Sequence, residues 1–152
     1  MGKIVEFLRI FLCALGYFLA YQGAPQMSLF WITALVVIPL NLLSGIEGLF
    51  FRKSSLVRKD WGTKLDRFQI QGRLHFLAIA ASAALVLMCK MNLQAQLTIC
   101  LVSMIFFLLS SVNHLWSYLK ENVSKIHLER FILSIIMVGF FAPLVIRSYP
   151  YL

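Results

Sequence analysis

The sequence predicts an all-α fold: a bundle of five membrane-spanning helices in a single domain of residues 1–152. Hydrophobic residues make up 61% of the chain and charged residues 13%, whereas soluble domains contain roughly 45–50% and about 25%. The apolar residues also gather in five runs of about 17 to 25 residues, each long enough to cross roughly 30 Å of hydrocarbon. A water-soluble fold of this size could not cover so much apolar side chain, so we expect lipid to be its solvent.

The five predicted spans cover residues 4–21, 28–51, 73–89, 95–119 and 128–146. Gly23 and Pro25 favour a tight turn between the first two spans. Pro39 removes a backbone hydrogen bond from the second span and predicts a kink near Leu35, and Pro143 interrupts the fifth span. The AIAASAA run of the third span is rich in small residues that allow close helix approach, which predicts a central position for that helix.

The connection 52–72 is a long basic stretch between two apolar spans. Trp61, Leu65 and Phe68 recur at i, i+4 and i+7, which predicts that the third helix begins near Lys64 in the headgroup region. Trp61 would then anchor the chain at the membrane interface. Eight residues are expected to meet the membrane surface and its anionic lipid headgroups: Arg52, Lys53, Arg58, Lys59, Lys64, Arg67, Arg73 and Trp61.

The basic residues divide unequally between the two sides of the predicted membrane. Twelve of the fourteen Lys and Arg residues fall in or beside the N-terminus, the 52–72 connection and the 120–130 connection, and only Lys90 and Arg147 fall on the other side. Cytoplasmic loops are enriched in Lys and Arg, so this split predicts a cytoplasmic N-terminus and an external C-terminus. It also accounts for the net charge of +8 without nucleic acid, which is not an expected partner.

Polar side chains at membrane depth are functional candidates because burying them in lipid is costly. His75 lies near the cytoplasmic end of the third span, His114 near that of the fourth, and Glu47 near that of the second. We therefore hypothesise that these three side chains converge in a pocket in the cytoplasmic leaflet. Its other candidate residues share the same helix faces or depth: Ser110, Asn113 and Gln71.

Several chemistries fit such a pocket. Two histidines and a carboxylate are weak candidates for a zinc or iron site, two facing histidines could ligate a haem, and the same groups could relay protons or hold a quinone-like ligand. In the alternative interpretation, Glu47 forms an interfacial ion pair with Arg52 or Arg73, and the serines bond to their own helix carbonyls. The cofactor therefore stays unspecified. With no recognisable metal or phosphate motif, enzymatic activity is not expected.

Short motifs at the end of the second span and in the 52–72 connection resemble those of a group of small bacterial multi-pass membrane proteins. The group has Gly-x-x-Gly at a helix end, then a Trp, then Phe-Gln ahead of an apolar helix. Here these are Gly45-Ile46-Glu47-Gly48, Trp61 and Phe68-Gln69, within residues 45–115. The group has no assigned activity, so the resemblance implies no catalytic residue; it implies a bacterial inner (plasma) membrane.

Three functions are consistent with these features. We expect a subunit or interaction partner of a membrane complex that docks through its bundle surface and basic connection. One alternative is a membrane-embedded site protein that uses Glu47, His75 and His114. The other is a transporter component working as a homodimer, because five helices rarely enclose a pore alone.

Overall fold

The computed structural model describes residues 2–50, 67–120 and 125–151. Within these ranges the backbone is helical with short turns, and no residue lies in a β-strand. A five-residue π-helix covers Thr33–Val37, and a 3₁₀ turn covers Tyr149–Tyr151. The α-helices are α1 (Gly2–Gln22), α2 (Pro25–Ile32), α3 (Ile38–Phe50), α4 (Arg67–Met88), α5 (Leu93–Lys120) and α6 (Ile126–Ser148).

Among the described residues, five helical segments are long and apolar enough to cross a membrane, which confirms the predicted all-α fold and span count. They are Ile4–Gln22, Pro25–Phe50, Ile70–Met88, Leu93–Lys120 and Ile126–Tyr151. The predicted turn is also present, because α1 ends at Gln22 and Pro25 is the first residue of α2, a position that needs no backbone N–H. The predicted helix start near Lys64 lies outside the described residues.

The second span, Pro25–Phe50, is the centre of the bundle. It has the largest buried share of the five spans, 39%, and it contacts each of the other four. The AIAASAA run predicted a central position for the third span, and this prediction is wrong. The third span packs mainly against α3 and leaves Ala78, Ala81 and Ser82 exposed. Long side chains such as Leu29, Ile32 and Val36 give the second span its buried core.

Glycines bring the neighbouring helices close to this central span. A Cβ atom at Gly16 of α1 would lie 2.7 Å from Val36 Cγ2, so α1 rests directly on the π-helix. On α3, a Cβ at Gly45 would lie 2.5 Å from Leu77 Cδ2, and one at Gly48 would overlap the Arg73 side chain. The Gly-x-x-Gly motif is therefore the contact surface for α4.

Where the sequence predicts a kink near Leu35, the structure has the π-helix Thr33–Val37. Pro39 has no N–H to donate, and the Ile38 N–H bonds to Thr33 O rather than to Ala34 O. Two buried polar side chains reach α5, one at the start of this segment and one just after it: Thr33 Oγ1 lies 3.2 Å from Cys100 Sγ, and Asn41 Nδ2 donates to Ser103 Oγ at 2.9 Å. These contacts fix the central span against α5.

Candidate functional site at the charged end of the bundle

Ionisable side chains from all five spans meet at one end of the bundle, which we call the charged end. Five of them are more than nine-tenths buried, although burying a charge is costly unless it is paired. Those five are Arg9 (6% exposed), Glu47 (1%), Arg73 (5%), His114 (8%) and His127 (1%), and Glu6 and Arg130 lie at the rim.

Glu47 pairs with Arg9 across the contact between α1 and α3. Arg9 Nη2 lies 2.5 Å from Glu47 Oε2 and also donates to Leu43 O at 3.2 Å. Sequence reasoning considered Arg52 and Arg73 as partners of Glu47 and missed Arg9. The available signal was an arginine inside an otherwise apolar first span, because such a residue needs an acidic partner at the same depth.

Glu6 connects this pair to the last helix. Its Oε2 lies 3.5 Å from Arg9 Nη1 and 3.6 Å from Arg130 Nη2. The Glu6 and Arg130 side chains are 32% and 18% exposed, so water screens this contact more than it screens the Arg9–Glu47 pair. Glu6 thus links α1 to α6 at the rim of the charged end.

Arg73 enters the charged end from α4. The sequence predicts it at the membrane surface, whereas the structure buries it, with its guanidinium group lying over Gly48. Because Gly48 has no Cβ, the long arginine side chain fits between α3 and α4. Two arginines, Arg9 and Arg73, therefore flank the short Glu47–Gly48 segment.

The most deeply buried histidines form a pair. His114 Nδ1 of α5 and His127 Nδ1 of α6 lie 2.9 Å apart, and the ring centroids are separated by 5.0 Å. A hydrogen bond between two imidazole nitrogens requires one N–H and one lone pair, so a proton lies between the rings. A ring in this pair can gain a further proton at its outer nitrogen, but two Nδ1–H groups cannot face each other at this distance.

The structure gives the three residues of the hypothesised pocket three different contacts. Glu47 pairs with Arg9, His114 pairs with His127, and the exposed His75 ring rests on Phe106 at a centroid distance of 4.9 Å. Within the described ranges no group of three or more His, Cys, Asp or Glu side chains could hold a metal ion.

The other sequence-predicted site residues lie in varied surroundings. Gln71 and Asn113 are exposed and Ser110 is half-buried. Arg67 is the first described residue of α4. Six of the predicted membrane-surface residues fall outside the described part of the chain: Arg52, Lys53, Arg58, Lys59, Lys64 and Trp61.

Sequence reasoning also missed His127 and Arg130. It assigned residues 120–127 to a polar connection, whereas α6 begins at Ile126 and includes His127 in its first turn. Helix boundaries are uncertain by one or two residues, and here that difference decides whether His127 faces the bundle. The usable signal was a second histidine directly across a short connection from His114.

No protein-family model matches this chain, and no match was found among curated proteins or solved structures. The charged end is therefore interpreted from its own geometry. It combines three arginine–glutamate contacts with a buried histidine pair that shares a proton. Chemically, this arrangement can bind a proton and release it within the polar layer.

Proposed function

We propose that this chain is a small integral membrane protein of a bacterial inner membrane that binds and releases protons at the His114–His127 pair. The observation that carries the proposal is the Nδ1–Nδ1 distance of 2.9 Å between two buried rings. Histidine is the side chain whose protonation ordinarily changes near neutral pH. The excess of basic residues on the side of the charged end supports a cytoplasmic location for the pair.

The geometry favours a proton over a metal ion as the ligand. Two histidine nitrogens that ligate one tetrahedral zinc ion at about 2.0–2.1 Å would stand about 3.3 Å or more apart. The 2.9 Å separation is instead that of a nitrogen–nitrogen hydrogen bond. The pair therefore fits a shared proton without rearrangement.

The distribution of polar groups favours proton binding from one side of the membrane. Within the described ranges, the buried Asp, Glu, Lys, Arg and His side chains belong to the charged end. Farther along the spans, the buried polar side chains are hydroxyls and an amide, such as Thr33, Asn41 and Ser103. Proton relays across a membrane use chains of titratable groups, so we propose a proton-responsive site rather than a proton path.

The proposal is tested by ¹⁵N NMR of the histidine rings in lipid nanodiscs, over about pH 5 to 8. His114 and His127 are expected to titrate as a coupled pair, with two macroscopic steps that belong to both rings. His75, which is exposed and contacts the Phe106 ring rather than another histidine, serves as the internal control.

Matched variants separate the pair from the control. His114→Asn is expected to convert the His127 titration into a single independent step, and His75→Asn is expected to leave the pair unchanged. If His114 and His127 titrate independently in the wild-type protein, and His114→Asn does not alter His127, the proton-binding proposal is wrong.

A second candidate function, as subunit of a membrane complex, is favoured by the exposed face of α4. Ala78, Ala81 and Ser82 leave a small, partly polar surface in the middle of a span, and such surfaces suit close helix docking in lipid. A second copy docked there would be the homodimer that the transporter alternative requires.

This candidate predicts that bulk on the α4 face disrupts an assembly. Ala81→Leu is expected to reduce the mass of the complex extracted in native nanodiscs, measured by native mass spectrometry. Ala14→Leu, at an exposed alanine of α1, is the matched control and is expected to leave the mass unchanged. A wild-type protein that is monomeric in this measurement would exclude the subunit function for this face.

A further inference from the structure

We propose that α4 forms a parallel, two-fold interface with a second copy of this chain. The contact surface is a line of six exposed positions on α4, which we call the α4 seam. These positions are Gln71, His75, Ala78, Ser82, Leu85 and Cys89. The interface rests on the second candidate function, in which the α4 face docks a partner, and it is independent of proton binding by the histidine pair.

The spacing of the α4 seam is that of a helix–helix contact. Successive positions are four, three, four, three and four residues apart. Such an alternation keeps one line of side chains facing a neighbouring helix over several turns, with the two helices crossing at about 20°. All six positions are exposed in the single chain, so within the described residues no other helix covers the seam.

The α4 seam exposes polar groups at the depth of the lipid chains. In the span Ile70–Met88, His75 lies about 7.5 Å from one end and Ser82 about 9 Å from the other. The hydroxyl of Ser111 bonds to a carbonyl of its own helix, whereas within the described ranges neither Ser82 nor His75 forms a hydrogen bond, and the His75 ring contacts Phe106. Polar side chains that face hydrocarbon are costly and rare, so these groups point to a protein partner.

The exposed faces of three other spans have a different composition. α1 exposes Phe11 and Phe18, α5 exposes Ile105 and Leu109, and α6 exposes Ile136. These large apolar side chains suit contact with lipid. The middle of the α4 seam instead carries an alanine and a serine four residues apart, a pair of small residues that allows two helix backbones to approach closely.

A second copy is the partner that these groups fit. In an interface with two-fold symmetry, each residue meets its own counterpart or the residue one turn away. The glutamine amide, the neutral histidine ring and the serine hydroxyl each carry a donor and an acceptor, so each can bond to the same residue of a second chain. The α4 seam is therefore complementary to itself.

The charge distribution fixes the relative orientation of the two copies. Twelve of the fourteen Lys and Arg residues lie on one side of the predicted membrane, so both copies insert with that side toward the cytoplasm. A two-fold axis in the membrane plane would invert one copy, and the axis must therefore be perpendicular to the membrane. The two α4 helices then run parallel, and each seam position lies at the same depth as its counterpart.

The test is disulfide cross-linking in native membranes. The three native cysteines are replaced by serine, and single cysteines are then introduced on α4. Ala78→Cys and Ser82→Cys lie on the seam, and Ala81→Cys, equally exposed and one residue away, is the matched control. Because a disulfide needs Cα atoms about 4.4–6.8 Å apart, mild oxidation is expected to cross-link more than about half of the chains at positions 78 and 82 and about fivefold fewer at position 81.

A mass measurement tests the same interface without introduced cysteines. Ser82→Leu places a bulky side chain on the seam and is expected to yield monomers in native mass spectrometry from nanodiscs. Ser82→Ala keeps the surface small and removes only the hydroxyl, so it is expected to retain the dimer and weaken it about threefold. Because position 82 is exposed in the single chain, the helix content measured by circular dichroism should be the same for both variants.

Two failures can be told apart. If the wild-type complex contains a different protein, or if cysteines at positions 78, 81 and 82 cross-link equally, the second-copy interface is wrong and the subunit function stands. If the wild-type protein is monomeric and no position cross-links, the interface and the subunit function fail together. The titration of the His114–His127 pair tests the proton-binding function separately from both results.

Discussion

The two ends of the bundle are held together by different chemistry. At the charged end, side chains bond to side chains: Arg9 to Glu47, and His114 to His127. At the opposite end, which we call the turn end, Arg147 and Ser28 bond to backbone carbonyls, Ser28 reaching Ala20 O at 2.9 Å. Backbone carbonyls are present at every residue and do not titrate, so the contacts at the turn end depend on where the helices lie. The contacts at the charged end depend instead on which residues are present and on their protonation.

The largest expected effect comes from breaking the buried pair at the charged end. Glu47→Leu leaves Arg9 buried at 6% exposure without the carboxylate of Glu47, and removing one member of a buried ion pair costs about 3–5 kcal/mol. The free energy of unfolding, measured by denaturant titration in mixed micelles, is expected to fall by that amount.

The companion double variant tests whether pairing is the cause. Arg9→Met combined with Glu47→Leu removes both charges, and replacing a whole buried pair with apolar residues is often close to neutral. Most of the lost stability should therefore return. A double variant less stable than Glu47→Leu alone would mean that Arg9 stabilises the bundle through contacts other than Glu47.

A smaller effect is expected from helix packing at the charged end. A methyl group at Gly45 would lie 2.5 Å from Leu77 Cδ2 and 3.2 Å from Arg73 O, so Gly45→Ala pushes α4 away from α3. Overpacking of this kind costs about 1–3 kcal/mol, which thermal unfolding in nanodiscs can measure.

The matched control for Gly45→Ala is the same substitution at Gly139, where an added methyl group has space. Because nothing lies within 4 Å of its added Cβ, Gly139→Ala is expected to stabilise α6 by up to about 1 kcal/mol through its higher helix propensity. Equal losses at Gly45 and Gly139 would contradict the close α3–α4 contact.

Arg147→Ala is the matching test at the turn end. The guanidinium group contacts three carbonyls, those of Ala20, Tyr21 and Gly23. Hydrogen bonds from a charged donor contribute about 1.5–3 kcal/mol, and partial exposure lowers the expected loss to about 1–2 kcal/mol.

The pH dependence of that loss sharpens the comparison. Because neither donor nor acceptor titrates, the destabilisation caused by Arg147→Ala should be the same at about pH 8 and pH 5. If the Arg147→Ala effect changes with pH, the turn end is not independent of protonation.

The features that the sequence predicts are local ones. Five apolar runs, the turn at Gly23–Pro25 and the irregularity near Leu35 are all visible in short windows, because hydropathy and Pro or Gly act on neighbouring residues. The position of the central helix is a different kind of property. Which helix is central depends on how many other spans it contacts. The small residues of α4 indicated close packing, but they did not indicate which neighbouring helix packs there.

The sequence predicted at which end of the spans the candidate side chains lie, but it did not predict which side chains contact each other. Glu47 and His114 are buried at the end where their sequence positions place them, but their partners, Arg9 and His127, lie 38 and 13 residues away. Which side chains meet depends on the rotation of each helix about its axis. A single sequence leaves that rotation open wherever a span is apolar on all sides.

The smallest expected effect lies between the two ends. Ser103→Ala removes the acceptor of Asn41 Nδ2, which still donates to Val37 O at 2.8 Å. Interhelical hydrogen bonds of this kind in membrane proteins average about 0.6 kcal/mol, so the free energy of unfolding should fall by about that amount. Ser111→Ala is the control, because the Ser111 hydroxyl bonds to Leu108 O of its own helix at 2.7 Å, and its loss should be near zero. If Ser103→Ala lowered the free energy of unfolding as much as Glu47→Leu does, the specificity of the fold would depend on the uncharged contacts in the middle of the bundle rather than on the charged end.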